Sequence, residues 1–331
     1  MLFYGVGNFS YLTDRLASKV GKWTLRCFRV RFCEKSLNKG GFGLFSIEKS
    51  VCKSNNITNF APQKKNQYKL KKTINTLIAR KGGVPVTVLT AYDCPTARII
   101  DEAGVDCILV GDSLGNVILG YENTLAVTVE DMIHHGAAVC RGVKEAFVVV
   151  DMPFMSYQPS VRDAVLNAGR IMKETGCQAV KLEGGAEYAD RIRAITEAGI
   201  PVVAHIGLTP QSVNAMGGYK VQGRTEEAQQ KLMQDALAVQ RAGAFAVTLE
   251  CVPAALATKI TEMLDILTIG IGAGNGCDGQ VMVYQDILDF TGGFSPKFAK
   301  KYANVHDVML NAFKQYKEEC EQRVFPEFKF E

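Results

Sequence analysis

From about residue 86 to residue 284 the chain repeats one unit: a short β-branched apolar run with a polar residue at its end, a loop, then a segment of helical period. The runs are Val86–Tyr92 before Asp93, Cys107–Gly111 before Asp112, Phe147–Val150 before Asp151 and Ala179–Leu182 before Glu183. They continue with Val202–Ala204 before His205, Phe245–Leu249 before Glu250, Leu267–Gly272 before Ala273, and a weaker Gln280–Tyr284. Strands that alternate with helices pair in parallel, because a crossover is needed to return the chain to the same edge. The runs are continuously apolar rather than alternating, as strands covered by helices must be. Four helical segments close on Gly104, Gly176, Gly199 and Gly243, where a left-handed residue ends a helix. Thr128 before Glu130 and Asp131, Ser160 before Asp163, and Pro253 before Ala254–Leu264 mark helix starts. Residues 67–331 thus read as one α/β domain, a single (β/α)8 TIM barrel, close to the ~250 residues typical of that fold. An open doubly wound sheet would carry a glycine-rich turn after its first strand, and Cys94-Pro95-Thr96 stands there instead.

Residues 1–66 differ in chemistry. Residues 1–65 hold 12 Lys and Arg against 3 acids, whereas the rest holds 26 against 31. This segment has no apolar period and no recognition motif, so its charge does not argue for nucleic acid. Within it the stretch Met1–Phe32 contains arginine and is poor in acids, with Asp14 its only acid beside Arg15, Lys19, Lys22, Arg26, Arg29 and Arg31. Such leaders resemble mitochondrial presequences, and the expectation is a largely disordered transit peptide and a mitochondrial protein. A basic tail without an address on a cytoplasmic protein is the alternative. No run of about 18 uncharged apolar residues occurs, so no membrane span is expected. The ten cysteines form no C-x-x-C pair and read as free thiols.

In a barrel of this kind the carboxyl ends of the strands converge on one mouth. Asp93, Asp112, Asp151, Glu183 and Glu250 would therefore share a pocket with Lys181 and His205. Any one of these acids could be a helix cap. Five together repel unless a cation joins them, and an all-oxygen donor set suits Mg²⁺ better than zinc. The histidines offer no zinc spacing, and His134 and His135 read as a surface and a packing residue. Gly274–Gly279 matches G-x-G-x-x-G but leads to no helix with a suitable acid, so it reads as a tight barrel loop. The connection 207–224 exceeds the usual ~2–6 residues and is a candidate lid.

Five strand-end segments are similar to the signatures of the ketopantoate hydroxymethyltransferase family, in order and at fitting distances. They are Val110-Gly111-Asp112-Ser113-Leu114-Gly115, Asp151-Met152-Pro153-Phe154-Met155, Val180-Lys181-Leu182-Glu183-Gly184-Gly185, His205-Ile206-Gly207-Leu208-Thr209-Pro210-Gln211-Ser212 and Leu249-Glu250-Cys251-Val252-Pro253. The resemblance runs from about Thr73 to Phe325. It implies a barrel of the phosphoenolpyruvate/pyruvate type and conversion of 3-methyl-2-oxobutanoate to 2-dehydropantoate in pantothenate biosynthesis, with 5,10-methylenetetrahydrofolate as co-substrate. It also implies Asp112 and Asp151 as Mg²⁺ ligands, with Glu183 reaching the ion directly or through water. Asp112, Asp151, Ser113 and Lys181 would meet the substrate, Glu250 would be the catalytic base, and His205 would support the site. A homo-oligomer, a decamer, is implied as well.

Two other readings remain. A lyase or mutase of the related phosphoenolpyruvate and 2-oxo acid barrels would need a catalytic cysteine or a phosphate grip on a mobile loop, and 207–224 contains no cysteine. A barrel kept as a binding protein would have no chemical need of an acid at so many strand ends.

Overall fold

A computed structural model describes residues 71–293 and 296–327, and the basic segment 1–66 lies outside them. Eight parallel strands close into a barrel in sequence order, with the eighth paired to the first. They are β1 (Val86–Thr90), β2 (Cys107–Val110), β3 (Phe147–Asp151), β4 (Ala179–Glu183), β5 (Val202–Gly207), β6 (Ala246–Glu250), β7 (Leu267–Ile271) and β8 (Gly279–Met282). Before them stands α1 (Ile74–Ile78). The outer helices are α2 (Cys94–Glu102), α3 (Leu114–Val117), α4 (Val129–Gly142), α5 (Val161–Thr175), α6 (Ala189–Glu197), α7 (Val213–Met216), α8 (Glu226–Arg241) and α9 (Ala254–Met263). The short α10 (Tyr284–Ile287) and the long α11 (Val305–Glu321) follow β8. The glycine-rich segment 274–279 runs straight into β8, as a barrel loop does.

Local chemistry accounts for the element ends. Thr128 and Asp131 form a capping box on α4, and Ser160 and Thr225 cap α5 and α8. Gly104, Gly176, Gly199 and Gly243 all adopt positive φ, which turns the chain from helix to strand. Strand period then separates two apolar layers. Ile108, Val110, Val148, Leu182 and Val247 face the helices, whereas Val88, Phe147, Val149, Val203 and Ile269 fill the barrel with Leu77 of α1. Phe147 and Phe245 meet edge to face at 5.9 Å inside it.

The amino-terminal end of the barrel is tied by two carboxylates just before strands. Asp106 accepts from the Thr87 N–H and hydroxyl and pairs with Lys72 and Arg80. Asp278 accepts from Gly82 N and Thr268 N and pairs with Lys81 at 2.8 Å. Burial opposes their ionisation. For Asp106 the Thr87 donors and Lys72 outweigh it, and for Asp278 Lys81 and the two N–H groups do, so both carboxyls sit below the ordinary carboxylate range. Their stabilisation is fully present above the unfolded carboxylate pKa of about 4 and is lost as pH falls through the lowered folded values. Asp278→Ala leaves the Gly82 and Thr268 N–H groups unpaired and takes the carboxylate from Lys81, which keeps only the Thr261 carbonyl, and urea unfolding at pH 7 should show a loss of about 2–4 kcal/mol. A change under about 0.5 kcal/mol would count against this clamp.

Candidate active site

The same period that buries apolar side chains low in the barrel delivers a polar layer near its carboxyl end. Asp151 pairs in register with Lys181, and Glu183 with His205, so neighbouring strands set these four side by side. Lys181 and Glu183 are two positions apart on β4 and share its inner face, as do Thr248 and Glu250 on β6. Asp112 reaches the site differently, because β2 ends at Val110 and the chain turns at Gly111. A side chain at Gly111 would meet the Ser113 hydroxyl at 2.7 Å, so glycine here leaves Ser113 its place beside Asp112.

The result is a cavity of about 150 Å³ lined by Asp112, Ser113, Asp151, Lys181, Glu183, His205 and Glu250, together with Thr90, Asn116, Thr124, Tyr219 and Thr248. At 10–15 Å³ for each water-sized group this is room for about ten, the scale of a small organic acid. All but one of the sequence-predicted residues are here. Asp93 is the exception: β1 stops at Thr90, Ala91 and Tyr92 turn into the core, and Asp93 caps α2 by accepting from Thr96 N at 2.8 Å and its hydroxyl at 2.9 Å. Thr90 takes the β1 place at the mouth. His135 bonds the Tyr92 carbonyl and packs, as expected.

Charges within the cavity are arranged in alternation. Lys181 Nζ lies 2.9 Å from Asp151 Oδ1 and 3.5 Å from His205 Nδ1. His205 Nδ1 lies 3.4 Å from Glu183 Oε1, and its Nε2 3.2 Å from Glu250 Oε2. Burial would discharge Lys181, yet Asp151, Glu183 and Asp112 around it raise its pKa above the ordinary lysine value. The amine therefore stays protonated, which favours electrostatic contact over Schiff-base chemistry. Burial and Lys181 pull the His205 pKa down, but the Glu183 and Glu250 carboxylates overcome them and bring it up to about 9. Burial, then Asp151 and Glu183, push the Asp112 carboxyl up to about 8.

That last value records a surplus of carboxylate in a small space, the condition a divalent cation relieves. Among the described residues no group of three or more His, Cys, Asp and Glu is drawn together as a ready-made metal cage. Lys181 draws Asp151 Oδ1, Asp112 N–H holds Asp151 Oδ2, and the Gln211 amide holds Asp112 Oδ2. Mg²⁺ needs no protein cage, since it keeps waters and binds through one or two carboxylates plus substrate oxygens. The carboxylates of Asp112, Asp151 and Glu183, hard oxygen donors lining one cavity, fit such an ion.

The loop 207–224 begins at Gly207, whose φ of +95° and approach to the Glu250 carbonyl leave no space for a side chain. It then folds as a 3₁₀ turn, Pro210–Ser212, and α7, bringing Pro210 and Tyr219 to the cavity wall. Sequence reasoning passed over Gln211, Tyr157 and Tyr92, all buried here, with Tyr92 OH 2.8 Å from Ser113 Oγ. Loop residues and core tyrosines carry no periodic signal. Thr248 had one, its spacing of two from Glu250.

A family model described as ketopantoate hydroxymethyltransferase matches residues 71–328. The chain is 60% identical over 258 residues to 3-methyl-2-oxobutanoate hydroxymethyltransferase of Clostridium novyi (strain NT), covering 78% of this chain and 94% of that one. It is 63% identical over 241 residues to the protein of the same name from Enterococcus faecalis (strain ATCC 700802 / V583), covering 73% and 88%. Among solved structures, 2,3-dimethylmalate lyase, a PEP mutase/isocitrate lyase superfamily member, is similar in fold alone, with TM-score 0.50, 17% identity and coverage of 78% and 91%. With the barrel closed, the acids gathered at its mouth and most of the chain matched at this identity, the protein belongs to the ketopantoate hydroxymethyltransferase family.

Proposed function

We propose that the chain transfers a hydroxymethyl group from 5,10-methylenetetrahydrofolate to 3-methyl-2-oxobutanoate, giving 2-dehydropantoate. Asp112 and Asp151, with Glu183 directly or through a water, would hold Mg²⁺, which when bound would chelate the carboxylate and oxo oxygens of the 2-oxo acid and withdraw negative charge from it. Ser113 and the Lys181 ammonium contact the same oxygens and orient them. Glu250 takes the proton from C3, the carbon that then bonds to the one-carbon unit of the folate. His205, cationic between Glu183 and Glu250, keeps the Glu250 carboxylate aimed at the cavity.

The observation that carries this reading is the placement of Glu250, 3.2 Å from buried His205 and across the same cavity from Asp112 and Asp151. A base and an electrophilic corner face one small volume, as deprotonation beside a carbonyl requires. Turnover of 3-methyl-2-oxobutanoate with methylenetetrahydrofolate, with Mg²⁺ or with chelator, tests it. Product formation that depends on both folate and Mg²⁺ is expected. Cleavage of a 2-oxo acid without folate would favour the lyase or mutase reading instead.

Residues 1–66 precede the matched region, and the relatives named above are bacterial, so nothing among them argues for an organelle. The basic, acid-poor composition alone supports a mitochondrial address and a domain boundary near residue 66. A reporter carrying residues 1–65 should enter mitochondria, and diffuse cytosolic signal would remove the proposal. A homo-oligomer is supported by α11, which buries none of its residues and exposes Val308, Phe313 and Tyr316, and the decamer is what the family resemblance implies. Sedimentation at monomer mass would exclude it.

A further inference from the structure

We infer that Gln211 is a positioning residue that joins the loop over the mouth to the carboxylates of Asp112 and Glu183 and sets the direction of both. The inference rests on the magnesium reading above and extends it to a residue that touches neither substrate nor ion.

Gln211 lies in the 3₁₀ turn after β5 and is 4% exposed. Its backbone N–H donates to Glu183 Oε2 at 2.9 Å. Its side-chain Nε2 donates to Asp112 Oδ2 at 2.8 Å and to the Met152 carbonyl at 2.9 Å. Its Oε1 accepts from Tyr157 OH at 2.8 Å and from Gln158 Nε2 at 3.1 Å. Both donors and both lone pairs of the amide are therefore used. The Tyr157 hydroxyl also accepts from Glu183 N at 3.1 Å and sits 2.9 Å from the Glu183 carbonyl. One residue thus links a carboxylate after β2 through its side chain, a carboxylate ending β4 through its backbone N–H, and the loop itself.

The choice of an amide has a chemical consequence. A lysine or arginine here would hold Asp112 by cancelling its charge and would compete with a cation. A glutamine donates without charge, so it fixes Asp112 through Oδ2 and leaves the carboxylate able to serve a metal through its other oxygen. Groups that orient metal ligands in this way typically account for 10–100-fold in metal affinity. Because the loop supplies these bonds, the linkage is reciprocal: a cation bound between the carboxylates must favour this loop conformation by the same factor.

The test uses the full chain without substrate, with Mn²⁺ as probe and its binding read by electron paramagnetic resonance. Gln211→Met keeps the volume and loses every side-chain hydrogen bond. It should weaken Mn²⁺ binding by about 10–100-fold. Tyr157→Phe keeps the ring, which packs edge to face on Tyr188, and removes only the hydroxyl. It should weaken binding by roughly 3–10-fold, the worth of one hydrogen bond, and remains informative if Gln211→Met fails to fold. Mn²⁺ should also protect the wild-type loop from trypsin at exposed Lys220 and Arg224, and protect the Gln211→Met loop less. Unchanged Mn²⁺ affinity in the folded variants, with tight binding by the wild type, would overturn the role of Gln211 alone. A wild-type chain that binds no Mn²⁺ would overturn the magnesium reading and this inference with it.

Discussion

Glu250→Gln is expected to bind 3-methyl-2-oxobutanoate as the unaltered protein does and to turn it over about 10²–10⁴-fold more slowly, the range for loss of a positioned general base. The substitution preserves shape and the approach to His205 Nε2 at 3.2 Å, while removing the basic oxygen. Because His205 is gripped from its other side by Glu183 at 3.4 Å, the surrounding charges should hold their places. The step can be watched apart from the one-carbon transfer. In deuterated water with Mg²⁺ and no folate, the C3 proton of the 2-oxo acid should exchange in the wild type and remain in Glu250→Gln, read by proton NMR. Exchange at the wild-type rate in the variant would eliminate Glu250 as the base.

Asp112→Ala addresses the opposite wall. Withdrawal of charge by a bound cation is worth several kcal/mol, on the order of 10³-fold in rate. The variant loses a carboxylate buried beside Asp151 and Lys181, together with the acceptor of the Gln211 amide. It should lose Mg²⁺-dependent turnover and keep its fold, since the barrel core lies below this layer. Retained activity that is equal with Mg²⁺ and with chelator would remove Asp112 from the metal assignment.

Much of this site was legible in the sequence because a parallel barrel exports strand ends to one mouth, and strand ends are visible as the polar residue that halts an apolar run. Asp151, Glu183, His205 and Glu250 were found this way, and Lys181 follows from a spacing of two. The rule fails where the chain leaves the ladder early. β1 gives up its last pairing at Thr90, so Asp93, two residues beyond Ala91, became a helix cap. Asp106 and Asp278 precede strands rather than follow them, and so stabilise the closed end. Gln211 and Tyr157 were invisible for a different reason: their roles depend on contacts between segments 99 and 26 residues apart, which no local pattern encodes.

The most direct measurement is a crystal structure of the protein with Mn²⁺ in place of Mg²⁺ and with 3-methyl-2-oxobutanoate, the ion located by its anomalous scattering. The ion should lie within ligand distance of Asp112 and Asp151, with the 2-oxo acid chelating it and C3 turned toward Glu250. An ion bound away from these two aspartates, or the acid seated with C3 turned away from Glu250, would contradict the account.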